Sequence, residues 1–155
     1  MTINKKKIGL AVLVIIVVIQ FFRIDKENPA IETKKDFIAA TNPPINVSKI
    51  LKTACYDCHS HETTYPWYSN VAPVSWWVKN HINDGRKHFN FSLWTDYDAK
   101  KRAHKLEEFY EEVEEGEMPL NSYTWVHAGA RLSSDDKNLL INWVKSLDDF
   151  KEEAH

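Results

Sequence analysis

The sequence predicts an all-α protein: a helical domain of about four helices, preceded by one apolar N-terminal helix. Three observations carry that expectation. Only four glycines occur in 155 residues, β-branched alternation is scarce beyond the N-terminus, and apolar residues recur at helical spacing through the second half of the chain. The length fits one domain of ordinary size, and a hydrophobic content of 43% suffices to build its core. No internal repeat or low-complexity tract divides the chain.

The first element is KKKIGLAVLVIIVVIQFFR. Its apolar run from Ile8 to Phe22 has 15 residues. At about 1.5 Å per residue this falls short of a bilayer core of about 30 Å, so a transmembrane helix here requires Lys7 and Arg23 to snorkel. A cleaved signal peptide has a similar apolar length but ends in a small-x-small site, and RIDKENPAIE, which follows, offers none. Residues 1–24 therefore read as an uncleaved signal anchor and transmembrane helix, with a soluble apolar helix as the remaining alternative. Lys5, Lys6 and Lys7 keep the N-terminus in the cytoplasm, which places everything beyond Arg23 on the exported side.

Charge divides at the same point. Setting aside Lys5, Lys6, Lys7 and Arg23 leaves 16 of the 20 basic residues against 22 acidic ones, a net charge near −6 for the exported part. That balance excludes a nucleic-acid footprint. Residues 25–44 are polar and punctuated by Pro29, Pro43 and Pro44, and they read as a tether. The folded domain is expected over 45–150.

Four helices follow in order. The first, about Val47–Ala54, runs into Cys55. Pro73 suits the first turn of the second, VSWWVKNHINDGR, which is expected to stop near Gly85. In the third, DAKKRAHKLEEFYEEVEEG, Leu106, Phe109, Tyr110 and Val113 form one apolar face, and Gly116 ends it. The fourth opens at Ser133 with Asp136 placed for a capping box, and Leu140, Trp143, Val144 and Leu147 form its buried stripe.

The stretch ACYDCHSHETTYPWY contains both cysteines of the chain. Cys55-Tyr-Asp-Cys58-His59 matches C-x-x-C-H, the pattern of covalent c-type haem attachment: two thiols add to the porphyrin vinyl groups, and the adjacent histidine binds iron. Three other readings compete. A structural zinc site needs four ligands, and the chain has no second cysteine pair. A thioredoxin-like redox pair needs a βαβ setting. A disulfide suits the exported compartment but leaves His59 without a purpose. One covalently bound haem c is the expected cofactor.

A second axial ligand is then sought. Apart from the initiator, the only methionine is Met118 in GEMPLNSY, in the loop after the third helix. A thioether is also a good core filler, which is the plain alternative. Among the histidines, His61 lies too close to His59 in sequence to reach the other haem face. His81, His88 and His104 read as helix surface or capping residues, and His155 sits at the chain end. His127, in WVHAGARLS, is the alternative ligand.

Beyond the motif, YPWYSNVAPVSWW (65–77), GRKHFNFSLW (85–94), GEMP (116–119) and HAGARLSSDDKNLLINW (127–143) resemble the small haem-binding domain family of bacterial exported proteins related to cytochrome c. The likeness spans roughly residues 45–147. It implies covalent haem, a cytochrome-c-like helical fold, and a domain secreted or tethered to the periplasmic face of the bacterial cytoplasmic membrane. The family's histidine after the Met loop corresponds to His127, which suggests a residue acting through a ligand rather than on iron.

Tyr65, Trp67, Tyr68, Trp76, Trp77 and Trp94 lie between the haem motif and the Met loop, and as a group they are expected to wall off a flat apolar macrocycle. Arg86 and Tyr123 are candidates to bond its propionates. Glu107, Glu108, Glu111, Glu112, Glu114, Glu115 and Glu117 crowd the third helix. They read first as a solvated face and second as a field that steers a redox partner with a basic docking surface. With His59 and Met118 both on iron, the expected role is one-electron transfer without bond-making catalysis. The alternatives are a haem that binds small ligands or reacts with peroxide, with His127 as distal group, and a sensor or docking module.

Overall fold

The computed structural model describes residues 4–151, and His155 lies outside them. Nine α-helices and four short 3-10 helices are the regular elements of the described residues, with no strand among them. Four of the nine correspond to the domain helices legible in the sequence. Helix α3 (Ile45–Ala54) buries Val47, Leu51 and Ala54 at i, i+4 and i+7. Helix α5 spans Val74–His88 behind Pro73. Helix α6 (Ala99–Glu115) is capped by the Asp98 carboxylate, buries Leu106, Phe109 and Val113, and ends at Gly116 with φ 82°, a conformation glycine adopts freely. Helix α8 (Ser134–Ser146) opens with the Ser133–Asp136 capping box and buries Leu140 and Val144.

The remaining α-helices are short: α2 (Phe37–Thr41), the single turn α4 (Tyr56–His59), α7 (Asn121–Thr124) and α9 (Asp148–Lys151). Helix α6 packs on α8 and α9, and α3 packs on α8 and α4. An Arg102–Asp149 ion pair at 3.0 Å ties α6 to α9.

Helix α1 covers Lys5–Ile19, its N-terminus capped by Asn4, and none of its residues is buried. At about 1.5 Å per residue it is about 22 Å long. Among the described residues, no helix is long and apolar enough to cross a membrane. The transmembrane helix expected over residues 1–24 is therefore not supported, and the packing of Gln20 gives the reason. The Gln20 amide donates to the carbonyls of Ile16 and Ala72 and accepts from the Ala72 N–H, so the domain holds the chain where the apolar run would have continued as helix.

The domain also begins earlier than expected. Residues 25–44 were expected to form a loose tether, yet Phe37 is fully buried, with ring centroids 4.7–5.9 Å from Trp94, Phe91, Trp143 and Phe89. Asp36, itself buried, caps α2 through the Ile38 N–H and accepts from the Tyr56 hydroxyl. Upstream of α2, Asn28 donates to the Thr63 carbonyl and accepts from Arg86, and the Ala30 carbonyl accepts from His61. A polar, proline-punctuated composition signals irregular backbone; it does not signal that the backbone is free.

Candidate functional site

Helix α3 ends at Ala54, and Cys55 joins it to α4 with φ −123° and ψ −40°. The Cys55 carbonyl accepts from the N–H groups of both Cys58 and His59, closing the turn. Tyr56 sets which way that turn faces. Its ring stacks on Phe91 at 4.8 Å, and its hydroxyl donates to the Asp36 carboxylate at 2.9 Å, so one side of α4 is locked into the core. Cys55, Cys58 and His59 then line a cavity of about 350 Å³, which is within the usual range for ligand pockets.

The His59 ring is held in one orientation. Its Nδ1–H donates to the Phe89 carbonyl at 3.0 Å. Because a carbonyl can only accept, Nδ1 carries the proton and Nε2 keeps its lone pair. Burial holds the imidazole below its ordinary pKa, against the carbonyls of Phe89 and Gly85, which favour the charged form. The two thiols are crowded by protein although neither residue is wholly covered. Burial, then the neighbouring Cys58, pushes the Cys55 thiol up to about 12; burial, then Asp57, pushes Cys58 up to about 11.

Gly85 was expected to stop the second helix, but α5 continues past it to His88. A Cβ at Gly85 would stand 2.8 Å from the Cys58 carbonyl oxygen. The residue is a point of close approach between α5 and the cysteine turn. Gly85→Ala is expected to force the two apart and destabilise the domain by about 1–3 kcal/mol, as read from denaturant unfolding. An unchanged midpoint would show that α4 shifts freely.

Met118 reaches the same cavity by a different route. After the left-handed residue Gly116, the Met118 N–H returns to donate to the Glu112 carbonyl at 3.0 Å. The Met118–Pro119 bond that follows is cis. Apolar walls come from Phe89, Phe91, Phe109, Val113, Leu120 and Leu132, and acidic groups at the rim from Glu108, Glu111 and Glu112. Two thiols, an imidazole with a free Nε2, a thioether and aromatic walls are a donor set and a surface that fit haem.

His127 lies elsewhere. It lines a second cavity of about 340 Å³ that shares only Cys58, His81, Leu120 and Tyr123 with the first. There its Nε2 shares a hydrogen bond with the Tyr68 hydroxyl at 2.7 Å, and its ring stacks on Tyr123 at 4.3 Å. His61 is held by Ala30 and Asn90, and His104 is on the surface beside Glu108.

The expected aromatic wall is corrected by the structure. None of Tyr65, Trp67, Tyr68, Trp76, Trp77 and Trp94 lines the cavity that contains the cysteines and Met118. Trp94 belongs to the core around Phe37, and Trp67, Tyr68 and Trp77 line the second cavity. Arg86 is not at the cavity either: its guanidinium donates to the Ser60 carbonyl, Asn28 and Thr63. Tyr123 does border it, but its hydroxyl donates to Asp57 at 2.8 Å. In their place α5 presents His81, Asp84, Gly85 and His88, spaced i, i+3, i+4 and i+7. That spacing was the signal available in the sequence, a helix face carrying polar groups and a glycine where a core stripe would carry apolar ones.

Residues 14–146 match a family model described as a haem-binding domain. The chain belongs to that family. As a haem-binding domain it is all-helical over the described residues, and the match takes in part of α1 and the whole of residues 25–44. No curated protein and no solved structure matches the chain.

Proposed function

We propose that this haem-binding domain is a membrane-tethered one-electron carrier with a single covalent c-type haem, facing the exported side of a bacterial cytoplasmic membrane. The observation that carries the reading is the gathering of Cys55, Cys58, His59 and Met118 around one cavity. Bound haem supplies one-electron redox chemistry at its iron. The chain supplies the rest. Cys55 and Cys58 would hold the macrocycle through thioethers. His59 presents Nε2, its ring kept in one tautomer by the Phe89 carbonyl. Met118 would offer its thioether sulfur to the iron, which would raise the potential relative to ligation without it. The phenylalanine walls exclude water, and Glu108, Glu111 and Glu112 mark the rim at which a redox partner with a basic face would dock. Helix α1, apolar and unburied, serves as the membrane attachment.

Optical spectra of the purified protein in both oxidation states test this. The wild type is expected to be low-spin when oxidised. Met118→Ala is expected to become high-spin and to lower the reduction potential, and His127→Ala is expected to leave the iron spectrum in place. A spectrum indifferent to Met118 and altered by His127 would indicate ligation by two histidines. A wild-type ferric spectrum that is high-spin and shifts readily with added cyanide would favour ligand binding or peroxide chemistry.

A further inference from the structure

The surface around the second cavity carries an unusual density of exposed apolar side chains. Trp67 and Trp125 are 79% and 78% exposed, and Val71, Val74, Trp77 and Val126 are exposed beside them. Trp67, Val74, Trp77 and Val126 line that cavity together, so these residues form one face and are not scattered. Asp57 is the only carboxylate among the cavity's lining residues, and it is taken up by the Tyr123 hydroxyl and the Thr64 N–H. The acidic rim of α6 belongs to the other cavity.

The end of α1 is bonded beside this face, at Ala72 and Trp76, and not on the residues that line the cavity. Gln20 bonds both backbone groups of Ala72, between Val71 and Val74, and the Phe22 carbonyl accepts from the Trp76 indole at 2.8 Å. We infer that the face formed by Trp67, Val71, Val74, Trp77, Trp125 and Val126 rests on the lipid surface into which α1 is inserted. The inference depends on α1 being the membrane attachment. Given that, the occupant follows from continuity: an apolar helix leaves the domain beside Val71 and Val74, so the bilayer it enters is the nearest apolar medium. Tryptophan is also the side chain that best suits a headgroup boundary, with an apolar ring and one N–H donor. Glu108, Glu111 and Glu112 line the other cavity and are not among the residues assigned to the lipid surface.

The test uses the full haem-loaded chain in phosphatidylcholine and phosphatidylglycerol vesicles carrying a photoactivatable acyl-chain phospholipid. After flotation, cross-links are mapped by mass spectrometry. Cross-links are expected at α1 and also within 67–77 and 125–126. In the double variant Trp67→Ser and Trp125→Ser, at two positions too exposed to matter for folding, the domain cross-links should be lost while those to α1 persist. Flotation with cross-links confined to α1 would overturn the docked face and leave the attachment standing. A chain that does not float would overturn the attachment itself, and the docked face with it.

Discussion

Protein carrying both Cys55→Ala and Cys58→Ala is expected to lose all of its haem under denaturing conditions, whereas the unsubstituted chain keeps it. Thioether bonds survive unfolding; axial ligation and packing do not. The double substitution should leave the fold largely intact, because the turn that carries these residues is fixed by Tyr56 stacked on Phe91 and bonded to Asp36. Circular dichroism should therefore remain helical while intact-mass measurement shows the bare polypeptide. Each single variant should retain haem through one bond. Recovery of wild-type chain at its bare polypeptide mass, from cells able to mature c-type cytochromes, would end the covalent reading.

Phe37→Ala is expected to cost about 3–5 kcal/mol, the range for emptying a fully packed aromatic site. Against a total stability on the order of 5–15 kcal/mol this leaves a marginal domain. The ring is fully buried among Trp94, Phe91, Trp143 and Phe89. Phe89 and Phe91 also wall the cavity, so the loss should reach the haem environment. Denaturant unfolding measures the first effect, and the absorption spectrum of the loaded protein reports the second. A loss below about 1 kcal/mol would mean that residues 33–41 only lean on the domain and do not complete it.

Local rules made the helices legible where cap and stripe agreed. Ser133 with Asp136, and Gly116 after the Leu106–Phe109–Val113 face, fall where the sequence puts them. The donors of the candidate site could be named from the sequence, because C-x-x-C-H is a local motif and Met118 had no rival of its type, and the structure brings all four to one cavity. What was not legible depended on contacts distant in sequence. Nothing near Phe37 announces that four aromatic rings will surround it. Gly85 looked like a helix end because its partner, the Cys58 carbonyl, lies 27 residues earlier. For the same reason the sequence does not show that Trp67 and Trp77 line the second cavity and that Trp94 joins the core. Composition counts aromatic residues without saying which of two adjoining hollows each will face.

The bonds along residues 20–30 bear on how a partner could find this domain. A free linker of about 20 residues would let its cargo sweep a radius of roughly 25 Å. Here Gln20, Phe22, Lys26, Asn28 and Ala30 are each fastened to the body of the domain, on Ala72, Trp76, Asn70, Arg86 with Thr63, and His61. The connection is a bracket rather than a swinging arm. On the electron-carrier reading proposed above, donor and acceptor would both have to come to a cavity fixed relative to the end of α1, so the encounter would be a search by the partners, with no shuttling by the domain between them.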